Sequence, residues 1–338
     1  MWSNKKKFLV IRFSSIGDIV LASAAIRCLK LQVPEAEVHF LTKYSFKAVT
    51  EANPYIDQFH YFNNNLTELV PLLKQEQYDC VVDLHKNFRT FILKYCLGIP
   101  ALTYKKLSWQ KFLLTKFGIN QMPHRHITDR SLDTLKPLGV VNDGMGLDYF
   151  IPVGQEVKQS DIPASHGFGY IAVVIGASYY TKKLPTEQLQ QLCAAINYPI
   201  ILLGGKEDMH EGDAVAAIDA IRIYNACGKF SLHESAHLIK NSKLVISHDT
   251  GLQYIACAFN KKVLAIWGGT SPKLDVEPYY GEQQLSMHIG AAYDNFIVPN
   301  LSCQPCSNYG TKKCPKGHFN CMKLQDVKNI AAIAHSKL

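Results

Sequence analysis

The stretch IRFSSIGDIVLA, residues 11–22, carries an apolar run into two serines, a glycine and a carboxylate, and then directly into a second apolar-periodic segment. A buried strand that ends this way passes straight into a helix start. The first amides of a helix lack intrahelical partners, so such a turn favours anions. Ser15 shapes the turn, and Gly17 would let another molecule approach the backbone closely. Asp18 has two readings from this loop alone: a carboxylate capping the helix, or a catalytic group facing a ligand.

Outward from this stretch the chain alternates. Apolar runs at 8–12, 37–42 and 80–84 read as strands, and periodic segments at 19–33, 66–75 and 88–96 read as helices. Such alternation predicts right-handed βαβ units and a parallel sheet. The pattern lapses over 140–168, where VNDGMGLDYF and SDIPASHGFG have the Gly, Pro and Asp content of a linker. A second alternation follows, with strands at 170–175, 199–203, 244–247 and 263–267 and helices at 186–196, 231–241 and 252–258. The expected fold is α/β, with two Rossmann-like domains over 1–155 and 165–338. Ligands of such sheets sit at the carboxyl ends of the strands, which points to the cleft between the halves.

The 338 residues are 47% apolar and 19% charged, ordinary for a globular protein. No apolar run approaches the ~18 residues needed to span a bilayer. Lys5, Lys6 and Lys7 before an apolar run have the outline of a signal peptide, but Arg12 and Asp18 interrupt it, so a cytoplasmic protein is expected. The net charge of +8 favours an anionic partner. No zinc-finger, RRM or helix-turn-helix signature accompanies it, which argues against nucleic acid. Six of the ten cysteines lie mostly in apolar segments, where a free thiol behaves as a small hydrophobe. The other four, Cys303, Cys306, Cys314 and Cys321, have the spacing C-x₂-C-x₇-C-x₆-C. That spacing points to a structural zinc or iron site, with reduced thiols or two disulfides as the competing readings. A closed four-thiolate site has no open position, so it would hold the tail and do no chemistry.

Three further strand-end loops have binding chemistry. In IGASYYTKKLPTEQ (175–188), Ser178, Thr181 and Lys182 precede a helix opening at Pro185, as in a phosphate site. In LGGKED (203–208), Glu207 and Asp208 follow a glycine turn and are suited to ribose hydroxyls. In VISHDTGLQYIACA (245–258), Asp249, Thr250 and Gly251 offer a hydroxyl and helix-start amides to a phosphate, or form a plain helix cap. Neither the Gly-x-Gly-x-x-Gly of dinucleotide sites nor a P-loop lysine accompanies the first turn.

Taken in order, RFSSIGDIVLASAAIRCLK (12–30), YDCVVDLHKNFRTFIL (78–93), TKKLPTEQ (181–188), LLGGKED (202–208), the 225–258 segment and AIWGGTSP (265–272) resemble the motif series of glycosyltransferase family 9, the ADP-heptose:lipopolysaccharide heptosyltransferases. The resemblance implies a GT-B fold, two Rossmann-like domains whose parallel sheets face an interdomain cleft. It implies inverting transfer from an ADP-sugar donor to an anionic lipid A/inner-core acceptor, with no catalytic metal or cofactor. The sequence has no Asp-x-Asp. Under this resemblance Asp18 is the general base and Lys182 neutralises the leaving diphosphate, beside Thr181 and the 249–251 turn. Asp208 or Glu207 would reach the ribose, Phe230 the adenine, and Ser15, Gly17, Ser178 and Tyr254 complete the donor side. Two positions depart from the family pattern: Tyr254 stands at its histidine and Leu184 at its tryptophan. Lys86 and Arg89, with Lys105 and Lys106, would meet acceptor phosphates and keep the protein on the cytoplasmic membrane surface. The alternatives are a transferase using another nucleotide sugar and a GT-B protein that binds without turnover.

Overall fold

The computed structural model describes residues 6–287 and 293–338. Strand β1, Lys7–Ile11, shows why the opening stretch behaves as it does. Phe8 and Val10 face one apolar layer while Leu9 and Ile11 face another, so the strand is covered on both sides. A central parallel strand of this kind reads as a continuous apolar run. Around it stand β2 (Glu37–Lys43), β3 (Gln58–Phe62), β4 (Cys80–Asp83) and β5 (Ala101–Thr103), in the order β3-β2-β1-β4-β5 with parallel pairing throughout. The second sheet comprises β6 (Ile171–Val174), β7 (Ile200–Leu203), β8 (Ile223–Asn225), β9 (Leu244–His248), β10 (Val263–Ile266) and β11 (Tyr293–Phe296). Its order is β11-β10-β9-β6-β7-β8, again parallel. The α/β architecture of two parallel sheets is the one expected from the alternation.

The first helix differs from its expected bounds. It begins at Ile16, so Gly17 and Asp18 lie inside the first helical turn and not in a preceding loop. It also ends at Leu21, and a second helix, Ser23–Gln32, continues after a break at Ala22. The cause is Ser23: its hydroxyl bonds back to the Val20 carbonyl at 2.6 Å and accepts the Asp148 amide at 2.8 Å, drawing the chain out of regular helical form.

The 140–168 segment is irregular but fastened. Buried Arg27 binds both oxygens of Asp143 at 2.8 Å, the Gly146 carbonyl at 2.9 Å and the Asp148 carboxylate. Past the carboxyl ends of both sheets lies a cleft of about 700 Å³.

Candidate active site

Asp18 lines this cleft with 28% of its side chain exposed. One carboxylate oxygen accepts the Ser15 amide at 3.1 Å and the Ser15 hydroxyl at 2.9 Å, while the other meets Arg12 at 2.6 Å. The capping and cleft-facing readings therefore hold together. Burial opposes ionisation, but the Arg12 guanidinium and the Ser15 donors outweigh it and hold the carboxyl below its ordinary range. Arg12 is itself fixed by the carbonyls of Ser14 and Leu84.

Across the cleft, Lys182 donates to the Asp249 carboxylate at 2.7 Å and to the Asp249 carbonyl at 3.0 Å. Thr270 holds the same carboxylate oxygen at 2.8 Å. An ammonium has three donors, so one remains beyond these two contacts. Asp249 leads through Thr250 into the helix Gly251–Ala258, whose cap makes no side-chain hydrogen bond. The Thr250 hydroxyl is buried without a protein partner, and Thr250 and Gly251 line the cleft. Uncapped helix amides beside an unsatisfied hydroxyl and a lysine form an anion-binding arrangement.

Gly17 lines the cleft and at the same time packs against the other half. A Cβ there would stand 2.8 Å from the Tyr254 ring, and one on Gly251 would stand 2.6 Å from Ile16. The glycines let the first helix of one half abut the 251–258 helix of the other. Tyr254 is the wedge of this contact, 5% exposed, with its hydroxyl donating to the Val276 carbonyl at 2.6 Å. Burial pushes its phenol well above its usual range, with Asp249 adding, so it stays neutral.

The remaining donor-side candidates separate. Ser15, Ser178, Glu207, Asp208 and Phe230 line the cleft. Glu207 is exposed, whereas Asp208 is 2% exposed and bound by Lys183 at 2.7 Å and by the Gly205 amide at 2.8 Å. Thr181, 1% exposed, is absent from the lining and instead ties its loop to the tail, accepting the Thr311 amide at 2.7 Å. Of the acceptor candidates, Lys86 and Arg89 are exposed outside the lining, while His85, Tyr104, Lys106 and Lys111 line the cleft in the same half. Burial, with Arg12 adding, lowers His85 to about 4, so its imidazole is neutral near pH 7. Burial, with Arg130 adding, lowers Lys111 to about 8. Sequence alone gave Lys111 no mark, because it sits mid-helix among apolar residues.

The cysteine segment does more than close the tail. Gln304 caps the carbonyls of Trp267 and Gly268 at 3.0 and 2.8 Å, and the loop beyond delivers Asn308 and Tyr309 to the cleft. Burial raises the Tyr309 phenol, with Asp18 adding to the effect. The four thiols share one neighbourhood: burial pushes Cys321 up to about 12, with Cys306, Cys314 and Cys303 adding. No three of the four sulfurs lie within 4.8 Å of one another. The donor set suits a soft metal ion, and none of the ten cysteines forms a disulfide. Among the described residues, His39, His60 and Glu76 are a tighter group, at the far end of the first sheet. There Lys7 already pairs with Glu76 at 2.9 Å, and Glu37 binds His39 at 2.8 Å.

Comparison with known proteins places this geometry. The sequence model of glycosyltransferase family 9 (heptosyltransferase) matches residues 67–296. Lipopolysaccharide heptosyltransferase 1 of Campylobacter coli is 23% identical over 291 residues, covering 78% of this chain and 84% of the relative. A family 9 glycosyl transferase from Veillonella parvula superposes with a TM-score of 0.68 at 22% identity, covering 87% and 86% of the two chains. An E. coli heptosyltransferase solved with ADP superposes with a TM-score of 0.66 at 15% identity, covering 98% and 100%. The fold is thus that of the GT-B heptosyltransferases, and with more than half its length matched by the family model, the chain belongs to glycosyltransferase family 9.

Proposed function

We propose that this glycosyltransferase moves a heptose, or a related sugar, from an ADP-sugar to a lipopolysaccharide inner-core acceptor with inversion at the anomeric carbon. The half over 1–155 takes the acceptor and the half over 165–338 takes the donor. The observation that carries this reading is the pairing of walls: an ionised Asp18 on one side, and Lys182 with the uncapped helix start at Thr250 on the other.

Asp18 accepts the proton of the acceptor hydroxyl as that oxygen bonds to the anomeric carbon. The bond from that carbon to the diphosphate oxygen breaks with its electron pair, and negative charge grows on the departing ADP. The free donor of Lys182, the Thr250 hydroxyl and the amides of the 251–258 helix meet that charge in fixed positions. Arg12 keeps Asp18 ionised at the cost of some basicity, a compromise that suits proton transfer concerted with attack. Glu207 reaches the ribose and Phe230 lies against the adenine. The Campylobacter relative is named a lipopolysaccharide heptosyltransferase, and the E. coli structure holds ADP; both support the choice of nucleotide and acceptor. Cys303, Cys306, Cys314 and Cys321 would hold a structural zinc or iron ion if their sulfurs drew together, steadying the segment that Cys306 ties to Gly269 and Gly269 to Thr181; metal analysis of the purified protein tests this directly.

Calorimetric titration with ADP, UDP and GDP tests the donor site. Selective ADP binding that weakens in Lys182→Ala is expected. With that established, Asp18→Asn should lower transfer by ~10²- to 10⁴-fold while leaving ADP affinity near wild type. Preference for UDP or GDP would discard the ADP-sugar, and undiminished turnover in Asp18→Asn would remove the general base.

A further inference from the structure

We propose that the outer faces of the helices Phe88–Leu97 and Ser108–Phe117 form a bilayer-docking surface that seats the protein on an anionic membrane leaflet. This surface presupposes the lipid-anchored acceptor proposed above and identifies what would bring the cleft to it.

The helix Phe88–Leu97 buries Thr90 and Leu93 against the sheet. On its other side Phe88, Phe91 and Tyr95 stand 75%, 62% and 82% exposed. Their spacing, i, i+3 and i+7, places them on one face. The helix Ser108–Phe117 repeats the arrangement. It turns Lys111 and Leu114 inward and leaves Trp109, Phe112 and Phe117 outward at 64%, 41% and 65% exposure. Phe112 links the other two rings: Trp109 stacks on it at 5.6 Å, and Phe117 meets it edge-on at 5.7 Å. Exposed contiguous aromatic faces of this kind mark interaction surfaces, because isolated apolar side chains are the norm on a soluble exterior.

Charge selects the occupant. Between Asp83 and Asp129 the chain has no Asp or Glu and eight Lys or Arg. Lys86, Arg89, Lys105 and Lys116 are exposed at or beside the two helices. A second copy of this chain, also at +8, would set like charge against like. An anionic leaflet matches the cations, and its interfacial zone accepts the rings. No described helix is long and apolar enough to cross a membrane, so this attachment is to the surface.

Position supplies the purpose. The first of these helices follows β4 through His85, and the second carries Lys111; both residues line the cleft. In the helix Ser108–Phe117, aromatic rings outward and Lys111 inward put the mouth of the acceptor half beside the bilayer.

The test is co-sedimentation of the full chain with phosphatidylcholine vesicles, with and without phosphatidylglycerol, alongside tryptophan emission. Wild type should partition to the phosphatidylglycerol vesicles and be weakened by salt. In a Trp2→Phe background its emission should shift to the blue, a change lost on adding Trp109→Phe because the remaining Trp267 is fully buried. The triple variant Phe91→Ser/Trp109→Ser/Phe117→Ser should lose at least about ten-fold in partitioning while keeping wild-type ADP affinity. Equal binding to both vesicle types, no emission shift in the Trp2→Phe background, or triple-variant binding equal to wild type would each overturn the docking surface. So would a triple variant that alters only self-association in sedimentation velocity, which would mark the face as one between copies. The ADP arm is separate: loss of ADP binding in wild type would sink the donor reading without touching the vesicle result.

Discussion

Lys111 holds its charge at a cost. Its side chain is buried at the cleft, where Arg130, Arg12 and Lys106 add repulsion to desolvation and Asp18 and Asp275 oppose them. A depressed lysine binds fewer protons folded than unfolded between about 8 and 10.5, so its penalty is fully present below the lower value and is relieved as pH rises through that window. Lys111→Met should therefore be more stable than wild type at pH 7, by about 3 kcal/mol for a shift of this size. The gain should shrink from pH 8 upward in paired denaturant titrations; a gain independent of pH would mean the residue acts through packing alone. The same variant should bind an anionic acceptor fragment more weakly at pH 7. Cost in stability and benefit in binding at one residue is the signature of a functional site, and Asp18 shows the converse, its ionised form favoured by Arg12 in the folded state.

At the scale of elements, the two glycines between the halves set how closely the helices 16–21 and 251–258 approach. Gly17→Ala would push a Cβ into the Tyr254 ring at 2.8 Å, a rigid neighbour wedged in turn by its bond to Val276. Overpacking of this kind costs ~1–3 kcal/mol. The expected result is a lower unfolding midpoint and weaker ADP binding, both partly restored by Tyr254→Leu. An unchanged midpoint would mean that the halves part without penalty. The same elements explain what sequence could reveal. The central strands β1, β2, β4, β6, β7, β9 and β10 are apolar through their middles because both faces are covered, and all were legible. The four that escaped, β3, β5, β8 and β11, are the edges of the two sheets, with sequences QFHYF, ALT, IYN and YDNF that are short or polar. Asp18, Lys182 and the 249–251 turn were visible because strand-end loops announce themselves through Gly, Ser and Asp. Lys111, His85 and Tyr309 were not, since only the fold carries the helix 108–117 and the cysteine segment back to the cleft. Thr181 was misread in the opposite sense: its neighbour lines the cleft, but its own side chain faces the tail.

For the whole molecule, continuity of the core decides how the halves behave together. One apolar layer runs without interruption from Val10 and Ala25 of the first half through Leu21, Tyr149 and Tyr254 to Val174 and Val245 of the second. Polar ties reinforce it: Tyr279 donates to Asp129 at 2.7 Å, the Asp275 carbonyl accepts the Ile127 amide at 3.0 Å, and His233 meets Glu51 at 3.1 Å. Two sheets that share a core in this way should melt as one unit even though each has its own topology. Calorimetry of the protein without nucleotide is expected to give a single transition, with calorimetric and van't Hoff enthalpies in agreement. Saturation with ADP at a hundred times its dissociation constant stabilises the native state by about 2.7 kcal/mol. Spread over the unfolding entropy of 338 residues, at about 2.1 cal/mol/K each, this raises the midpoint by roughly 4 °C. If the halves were independent, two transitions would be seen, and ADP would move only the one belonging to the half that binds it. A single transition displaced as a whole would show that nucleotide bound on one wall stabilises the opposite wall, where Asp18 stands.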